Sequence, residues 1–438
     1  MPLLATDLEL TQHSYYAATA TRPQPAAPLQ GDVQCDVAVV GAGLAGLSAA
    51  LELRERGHSV VLLEAREVGF GASGRNGGQA IHGLACDQAT VEAQLGMADA
   101  KRVWDMSIEA LTLLRQRMAR HGIECDWQDG YLSLATSPGK AKALLAWSER
   151  MAGVYGYPMA SIAATDLPRW IDSARFCAGV HDPKSGHLHP LKYTLGLAQA
   201  ARAAGVQLHE NTPVTALVQG ARPQLRTPQG QVSARQVLLA GNVYLQGLVP
   251  ALAQRIMPVG TYIACSETLP ETLANSLIPG RQAVCDTNFV LDYFRTTLDN
   301  RMLYGGRVSY STTTPRDLRQ AMQQRMLGTF PQLKGHAVEY AWGGFVDISM
   351  NRAPDFGRLP PPGHAGAANV YYLQGFSGHG LALTGLAGRL VAEAISGDAS
   401  RFDVFARLRH RPFPGGAKLR MPALVLGMAW YRLRDMLA

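Results

Sequence analysis

The sequence predicts a mixed α/β protein of two domains, one of them assembled from separated stretches of chain. Three observations predict it. The chain has 438 residues, and a single hydrophobic core seldom grows past roughly 250–300 residues. A glycine-rich turn stands between a short apolar run and a helical run near the start of the chain, within residues 35–56. A second turn of the same kind stands near the other end, within residues 370–395. If both turns serve one ligand, the domain that binds it is discontinuous, and the other domain is inserted between its pieces.

The elements follow in order. Residues 21–28, TRPQPAAP, have neither a helical nor a strand period. CDVAVV, at 35–40, is an apolar β-branched run typical of a buried parallel strand. The amphipathic run 44–56 follows, with Gly57 where a helix-ending glycine belongs. HSVVLL, at 58–63, is a second buried strand and stops at Glu64. This is a βαβ unit, whose crossover is right-handed. Residues 91–121 and 192–204 read as helices, the second stopped by Gly205; 131–135, 206–208, 214–218 and 237–240 read as strands. Residues 289–294 and 302–304 read as strands paired around an Asp299-Asn300 turn. A strand at 370–373 leads through the second glycine turn to a helix at 381–395, closed by Gly397. The stretch 360–368, PPPGHAGAA, reads as an exposed connection.

Charge and cysteine content narrow the function classes. The net charge is +7, and residues 401–438 hold eight Lys or Arg against two acids. That basic extension reads either as a solvated tail or as a contact with an anionic surface such as a membrane. Its Leu424, Leu426, Trp430 and Leu433 give it the look of an interfacial helix, which Pro422 and Gly427 weaken. No nucleic-acid-binding motif accompanies the charge, so nucleic acid is not expected as a partner. The six cysteines are scattered singly, with no CxxC, so neither a zinc site nor a redox pair is indicated. They suit a reducing cytosol. The N-terminal residues lack a basic region before an apolar stretch, so a cytoplasmic protein is expected. His187 and His189, in SGHLHP, have no third ligand nearby in sequence, so no metal site is expected.

The chemistry lies in three glycine-rich segments. The first is GAGLAG, comprising Gly41, Ala42, Gly43, Leu44, Ala45 and Gly46. In this pattern the first glycine makes the tight turn, the second admits a pyrophosphate, and the third lets helix and strand pack closely. The phosphates then lie on the positive end of the helix. Glu64 stands 21 residues after Gly43, beside Ala65 and Arg66, about the spacing expected of the acid that takes hydrogen bonds from a ribose diol. An acid there disfavours NADP. The second segment is GFGASGRNGGQ. It holds Gly71, Ala72, Ser73, Arg75, Asn76, Gly77, Gly78 and Gln79 directly after the Glu64 strand. Its amides and side-chain donors can wrap the second half of a longer cofactor, which favours FAD over NAD. The third segment, GFSGHGLALTG, contains Ser377, Gly378, His379 and Gly380. A helix starting there would stabilise negative charge on the pyrimidine edge of a reduced flavin. The competing motifs of hydrolases, metallopeptidases and P-loop proteins are absent from the sequence.

With these segments in place, the chain resembles the D-amino-acid oxidase superfamily of flavoproteins, and within it the bacterial γ-glutamylputrescine oxidase family. The matching stretches include SYYAATA from Ser14, SGHLHPL from Ser185, LLAGNVYL from Leu238, LDYFR from Leu291, DNRMLYGG from Asp299, DFGRL from Asp355 and RPFPGG from Arg411. The resemblance implies a Rossmann-like FAD domain and a substrate domain whose large antiparallel sheet roofs the flavin. The pieces expected of the FAD domain are 32–90, 187–247 and 341–400. Those of the substrate domain are 91–186 and 248–340, with extensions at 1–31 and 401–438. The resemblance places Val214 against the adenine and Ala240 and Gly241 at another cofactor-contacting strand end. It implies oxidation of the carbon–nitrogen bond of an amine by hydride transfer to flavin N5. An imine and then an aldehyde follow, and dioxygen or another acceptor such as a quinone reoxidises the cofactor, dioxygen giving peroxide. An oxidase or dehydrogenase of a cyclic or secondary amino acid, such as L-pipecolate or proline, is the alternative. A flavin-binding subunit without turnover is a third reading.

Three residues are candidates for the substrate. Arg352 stands where many members of the superfamily carry an acid. Its guanidinium is read as a clamp for a substrate carboxylate or as a salt bridge to Asp347 or Asp355. Tyr293 and Arg295 alternate with Phe294 on a strand and so share one face. They line the substrate site or pack within the sheet. Several relatives attach flavin through a late cysteine. None follows Cys285 in this chain.

Overall fold

The computed structural model describes residues 13–245, 247–306, 317–360 and 368–414. Among them the strands form two sheets, one of eight strands and one of nine. The centre of the first sheet is parallel: Gly31–Val40 lies between Val60–Leu63 and Gly230–Leu239, and Val370–Gln374 pairs with the far side of Gly230–Leu239. These strands are buried on both faces, by helices on one side and on the other by Leu29, Leu225, Val249 and Leu252, which is why they read as continuous apolar runs. Leu44–Glu55 and Gly380–Ile395 cover one face, and Leu47, Leu51, Leu53, Leu386 and Leu390 are buried in the same cluster. Asp355–Leu359 adds an antiparallel edge.

The second sheet runs in the order 338–349, 256–266, 302–306, 293–296, 283–286, 128–135, 178–187, 79–80. Its pairings are antiparallel except that Ala283–Asp286 runs parallel to Gln128–Ala135. Ile256–Ser266 against Val338–Ser349 is the longest of them. The hairpin expected around Asp299-Asn300 is present, with Phe294 opposite Tyr304, but its first strand starts at Tyr293 rather than at residue 289.

The expected boundaries differ from this architecture at three points. Residue 341 falls inside Val338–Ser349, which pairs in the second sheet. Gln79–Ala80, within the expected FAD piece 32–90, also joins that sheet. Helix Gln88–His121, which crosses the expected boundary between 32–90 and 91–186, buries Ala110, Leu111 and Leu114 in the cluster of the first sheet's helices. An amphipathic helix settles wherever its apolar stripe is covered; a boundary drawn beside a motif carries no information about that.

No described helix is long and apolar enough to cross a membrane. The basic tail beyond residue 414 and most of the 360–368 connection lie outside the described residues.

Candidate functional site

The three glycine segments follow the C-terminal ends of parallel strands of the first sheet, Gly31–Val40, Val60–Leu63 and Val370–Gln374, the edge where open α/β sheets bind ligands. Gly41 has a φ of 105°, and a Cβ there would lie 2.8 Å from the carbonyl oxygen of Ala240. That contact puts Ala240 and Gly241 against the first turn. A Cβ on Gly46 would lie 2.0 Å from the Gly41 carbonyl oxygen, so only glycine lets the helix begin this close to the strand. A Cβ on Gly43 would lie 2.8 Å from Ser73 Oγ, and that hydroxyl accepts a hydrogen bond from Leu44 N at 2.9 Å. Ser73 of the second segment therefore stands at the positive end of the helix containing Ala45 and Gly46.

Glu64 is fixed by backbone amides. Its Oε2 accepts from Ala42 N at 2.7 Å and its Oε1 from Arg66 N at 2.9 Å. Burial pushes its carboxyl upward, and these amides oppose the shift. Each oxygen keeps a further acceptor position for a sugar hydroxyl. Thr212 N and Asn211 N donate to the carbonyls of Glu64 and Arg66, each at 2.8 Å, so the approach to Val214 runs beside Glu64, Ala65 and Arg66. Val214 precedes the strand Ala216–Val218 instead of opening it.

The second segment is held from several sides. Gly69 N donates to Ala42 O at 3.1 Å. Gly71 precedes the short turn Ala72–Gly74. Asn76 donates to the carbonyls of Ala72 and Ser73 and accepts from Gly78 N at 2.8 Å. Gln79 Nε2 donates to Val284 O at 2.9 Å, which ties the segment to the second sheet. The Arg75 guanidinium lies over the Phe70 ring, 4.5 Å from its centroid.

In the third segment, Gly375, Ser377 and Gly378 have φ of 75°, 55° and 87°. Asp347, from the second sheet, shapes this turn. Its carboxylate accepts from Gly375 N and Phe376 N, and its carbonyl from Ser377 N at 3.0 Å. Burial raises Asp347 to about 6. His379 Nε2 lies 2.7 Å from the His82 carbonyl. A carbonyl only accepts, so Nε2 carries the hydrogen and Nδ1 presents a lone pair. Burial lowers His379 to about 4, so the ring is neutral at physiological pH. Gly380 then opens the 16-residue helix Gly380–Ile395. A Cβ on its Gly388 would lie 2.6 Å from Ala49 N, which shows how closely this helix meets Leu44–Glu55.

A cradle of this kind fits FAD. Cβ atoms at the first turn would fill the space that backbone must approach, and two helix N-termini, one acid and a donor-rich loop converge there.

The three substrate candidates fall in different surroundings. Arg352, with a φ of 61°, stands on a turn whose Ser349 N donates to Ser377 Oγ at 3.2 Å, and its guanidinium lies 5.5 Å from the Phe289 ring centroid. Of its two expected carboxylate partners, Asp355 accepts from Arg255 and Gln374 at 3.3 and 2.8 Å, and Asp347 holds the turn. Tyr293 and Arg295 share a face, as alternation requires. A Cβ on Gly77 would lie 2.6 Å from the Tyr293 ring. Arg295 is 3% exposed and donates to the carbonyls of Gly77 and Leu188 at 2.9 and 3.2 Å. Its guanidinium thus faces loop backbone. Phe294, on the other face, stacks on Tyr304 with centroids 5.3 Å apart. His187 Nε2 donates to Arg281 O at 2.8 Å, and His189 caps the helix Pro190–Ala203 through Lys192 N. Among the described residues no group of three or more His, Cys, Asp or Glu is placed to hold a metal ion.

Two residues at the site went unassigned by sequence reasoning. The sequence offers Asp347 as an ion-pair partner of Arg352, but a lone acid within the apolar run WGGFVDIS is itself a signal of another task. Tyr16, at 0% exposure, lies within the SYYAATA match without a role.

Comparison with known proteins accords with this geometry. The family model described as DAO, FAD dependent oxidoreductase, matches residues 36–394. The chain is 43% identical to the gamma-glutamylputrescine oxidoreductase of Escherichia coli K12, over 98% of this chain and 100% of that one. Among solved structures it superposes on glycine oxidase from Geobacillus kaustophilus with a TM-score of 0.68 at 21% identity, covering 83% and 95% of the two chains. For L-proline dehydrogenase from P. horikoshii the TM-score is 0.67 at 20% identity, covering 84% and 94%.

Proposed function

Because this chain belongs to the DAO family of FAD-dependent oxidoreductases, we propose that it oxidises γ-glutamylputrescine or a closely similar amine at a carbon–nitrogen bond, with dioxygen as the acceptor. One observation carries the substrate: the 43% identity to the Escherichia coli enzyme is taken over 98% of this chain and the whole of that one, so the match extends across both sheets. The FAD domain of the proposal comprises the first sheet and its helices, and the substrate domain the second sheet.

When bound, FAD supplies the hydride acceptor, N5, and returns the electrons to dioxygen as peroxide. The chain's own residues do the rest. The first and second segments and Glu64 hold the adenosine and pyrophosphate. Helix Gly380–Ile395 turns its positive end toward the site, favouring negative charge there. Arg352 binds the substrate's carboxylate, and the Phe289 ring limits where its guanidinium can swing. Burial within the second sheet keeps water from the reacting carbon. Released imine hydrolyses to an aldehyde.

The test is anaerobic mixing. γ-Glutamylputrescine should bleach the oxidised flavin within seconds, whereas L-pipecolate and proline should leave it yellow, and in air each turnover should yield one peroxide. Bleaching by pipecolate or proline instead would replace the substrate. Arg352→Gln should raise KM for γ-glutamylputrescine by roughly 10- to 100-fold, the loss expected of a charge-assisted hydrogen bond.

A further inference from the structure

The polypeptide ahead of the first sheet does not hang free of it. Ser14 caps the short helix Tyr15–Thr19, and both tyrosines of that helix are buried. The Tyr16 hydroxyl and the Arg295 guanidinium are 3.2 Å apart, and the same guanidinium donates to Gly77 O and Leu188 O. The Tyr16 ring meets Trp342 edge-on, with centroids 5.2 Å apart, and Trp342 Nε1 donates to Arg75 O at 2.9 Å. The carbonyls on either side of Asn76 are therefore both tied back, by two side chains that both touch Tyr16. A Cβ on Gly78 would lie 2.1 Å from Leu188 O and 3.0 Å from the guanidinium, so the loop rests directly on this support.

The same segment continues to the other end of the cradle. Arg22 donates to Val68 O at 3.0 Å. Glu210 accepts from Ala26 N and from Val68 N, both at 2.7 Å. Leu29 N donates to Thr212 Oγ1 at 3.0 Å, and Thr212 N in turn donates to Glu64 O at 2.8 Å. A stretch without regular structure over residues 21–30 thus has its backbone fixed by side chains that belong to the cofactor-binding side.

We propose that residues 14–29 are a brace that sets the grip on FAD, with Tyr16 and Arg295 as its positioning residues for the 75–78 loop. The inference rests on the reading that this loop contacts FAD. It gives Arg295 a task other than substrate binding. Tying the carbonyls of Arg75 and Gly77 inward keeps the negative ends of two peptide dipoles away from a cofactor that gains negative charge on reduction.

The experiment compares Tyr16→Phe, Arg295→Lys and, as a control, Tyr15→Phe in the full chain. The Tyr15 hydroxyl bonds Asp299 at 2.7 Å and does not reach the loop. FAD is titrated into apoprotein by fluorescence, and amide hydrogen exchange of the apoprotein is mapped in parallel. The FAD Kd should rise about three- to tenfold for Tyr16→Phe and further for Arg295→Lys, which cannot form the planar fork. Exchange should quicken at 75–80, while Tyr15→Phe leaves both readings unchanged. KM of the FAD-saturated variants for the amine should stay at the parent value. An unchanged Kd would overturn the brace, and with a raised KM it would return Arg295 to the substrate. Faster exchange throughout the chain would also overturn it, since that reports general stability. The exchange map needs neither cofactor nor substrate, so it separates failure of the brace from failure of the functional reading.

Discussion

Two acids at this site, Glu64 and Asp347, each take hydrogen bonds from a pair of backbone amides. Glu64 was legible because a spacing convention points to it, and the structure gives it two backbone amides. Asp347 has no such convention, and its task, shaping a turn 28 residues later, depends on a fold the local sequence does not encode. Its raised carboxyl has a consequence for stability. A group whose folded pKa exceeds its unfolded value favours the fold fully below the unfolded value and loses that contribution as pH rises through the folded one. For Asp347 the window runs from 3.8 to about 6, and Asp286, raised to about 6 mainly by burial, shares it. Asp347→Asn keeps an acceptor for Gly375 N and removes the titration. The fall in unfolding free energy between pH 4 and pH 7 should shrink by about 2 kcal/mol, read by urea unfolding at both values. A variant with the parent's full pH dependence would show that Asp347 titrates normally.

Elements were legible in proportion to how locally they are determined. The βαβ unit, the helix after Gly378 and the hairpin at Asp299-Asn300 each announce themselves within one window of sequence. Ile256–Ser266 and Val338–Ser349 do not, although they form the longest pairing of the second sheet. Pro258 and Gly260 interrupt the first, and Gly343-Gly344 the second. In a short window these residues read as breakers. In the sheet, a Cβ on Gly343 would lie 2.7 Å from the Tyr262 ring, so the glycine accommodates an aromatic neighbour. The helix pair follows the same logic. Gly388→Ala should destabilise the protein by about 1–3 kcal/mol, because a backbone nitrogen cannot yield as a side chain does. It should also weaken FAD binding, since both helix N-termini are set by this packing. Gly153→Ala is the contrast: beyond its own turn of helix, no atom lies within 4 Å of the added methyl, and a gain of about 0.5–1 kcal/mol is expected. Thermal unfolding of both variants decides it, and equal destabilisation would remove the packing argument.

At the scale of the molecule, glycine turns at both ends of the chain lead to the expectation of a discontinuous cofactor domain, and the large antiparallel sheet is expected from the family resemblance alone. The order of strands within each sheet was not legible. It rests on strand partners far apart in sequence, such as Ala80 with Gly186 and Val259 with Val346, and pairings of that span leave no periodic trace. The central strand Gly31–Val40 finds one neighbour within the next 30 residues but the other only at Gly230–Leu239, and that strand waits in turn for Val370–Gln374. A ribosome must therefore export most of the polypeptide before a vessel for the nucleotide exists. Nascent chains stalled before the last parallel strand emerges should not retain FAD, whereas released full-length chains should. Retention by the shorter chains would mean that the early turns suffice. Until synthesis is nearly complete, the apolar edges of the early strands have no permanent cover, and their protection during translation falls to whatever holds unfinished chains in solution.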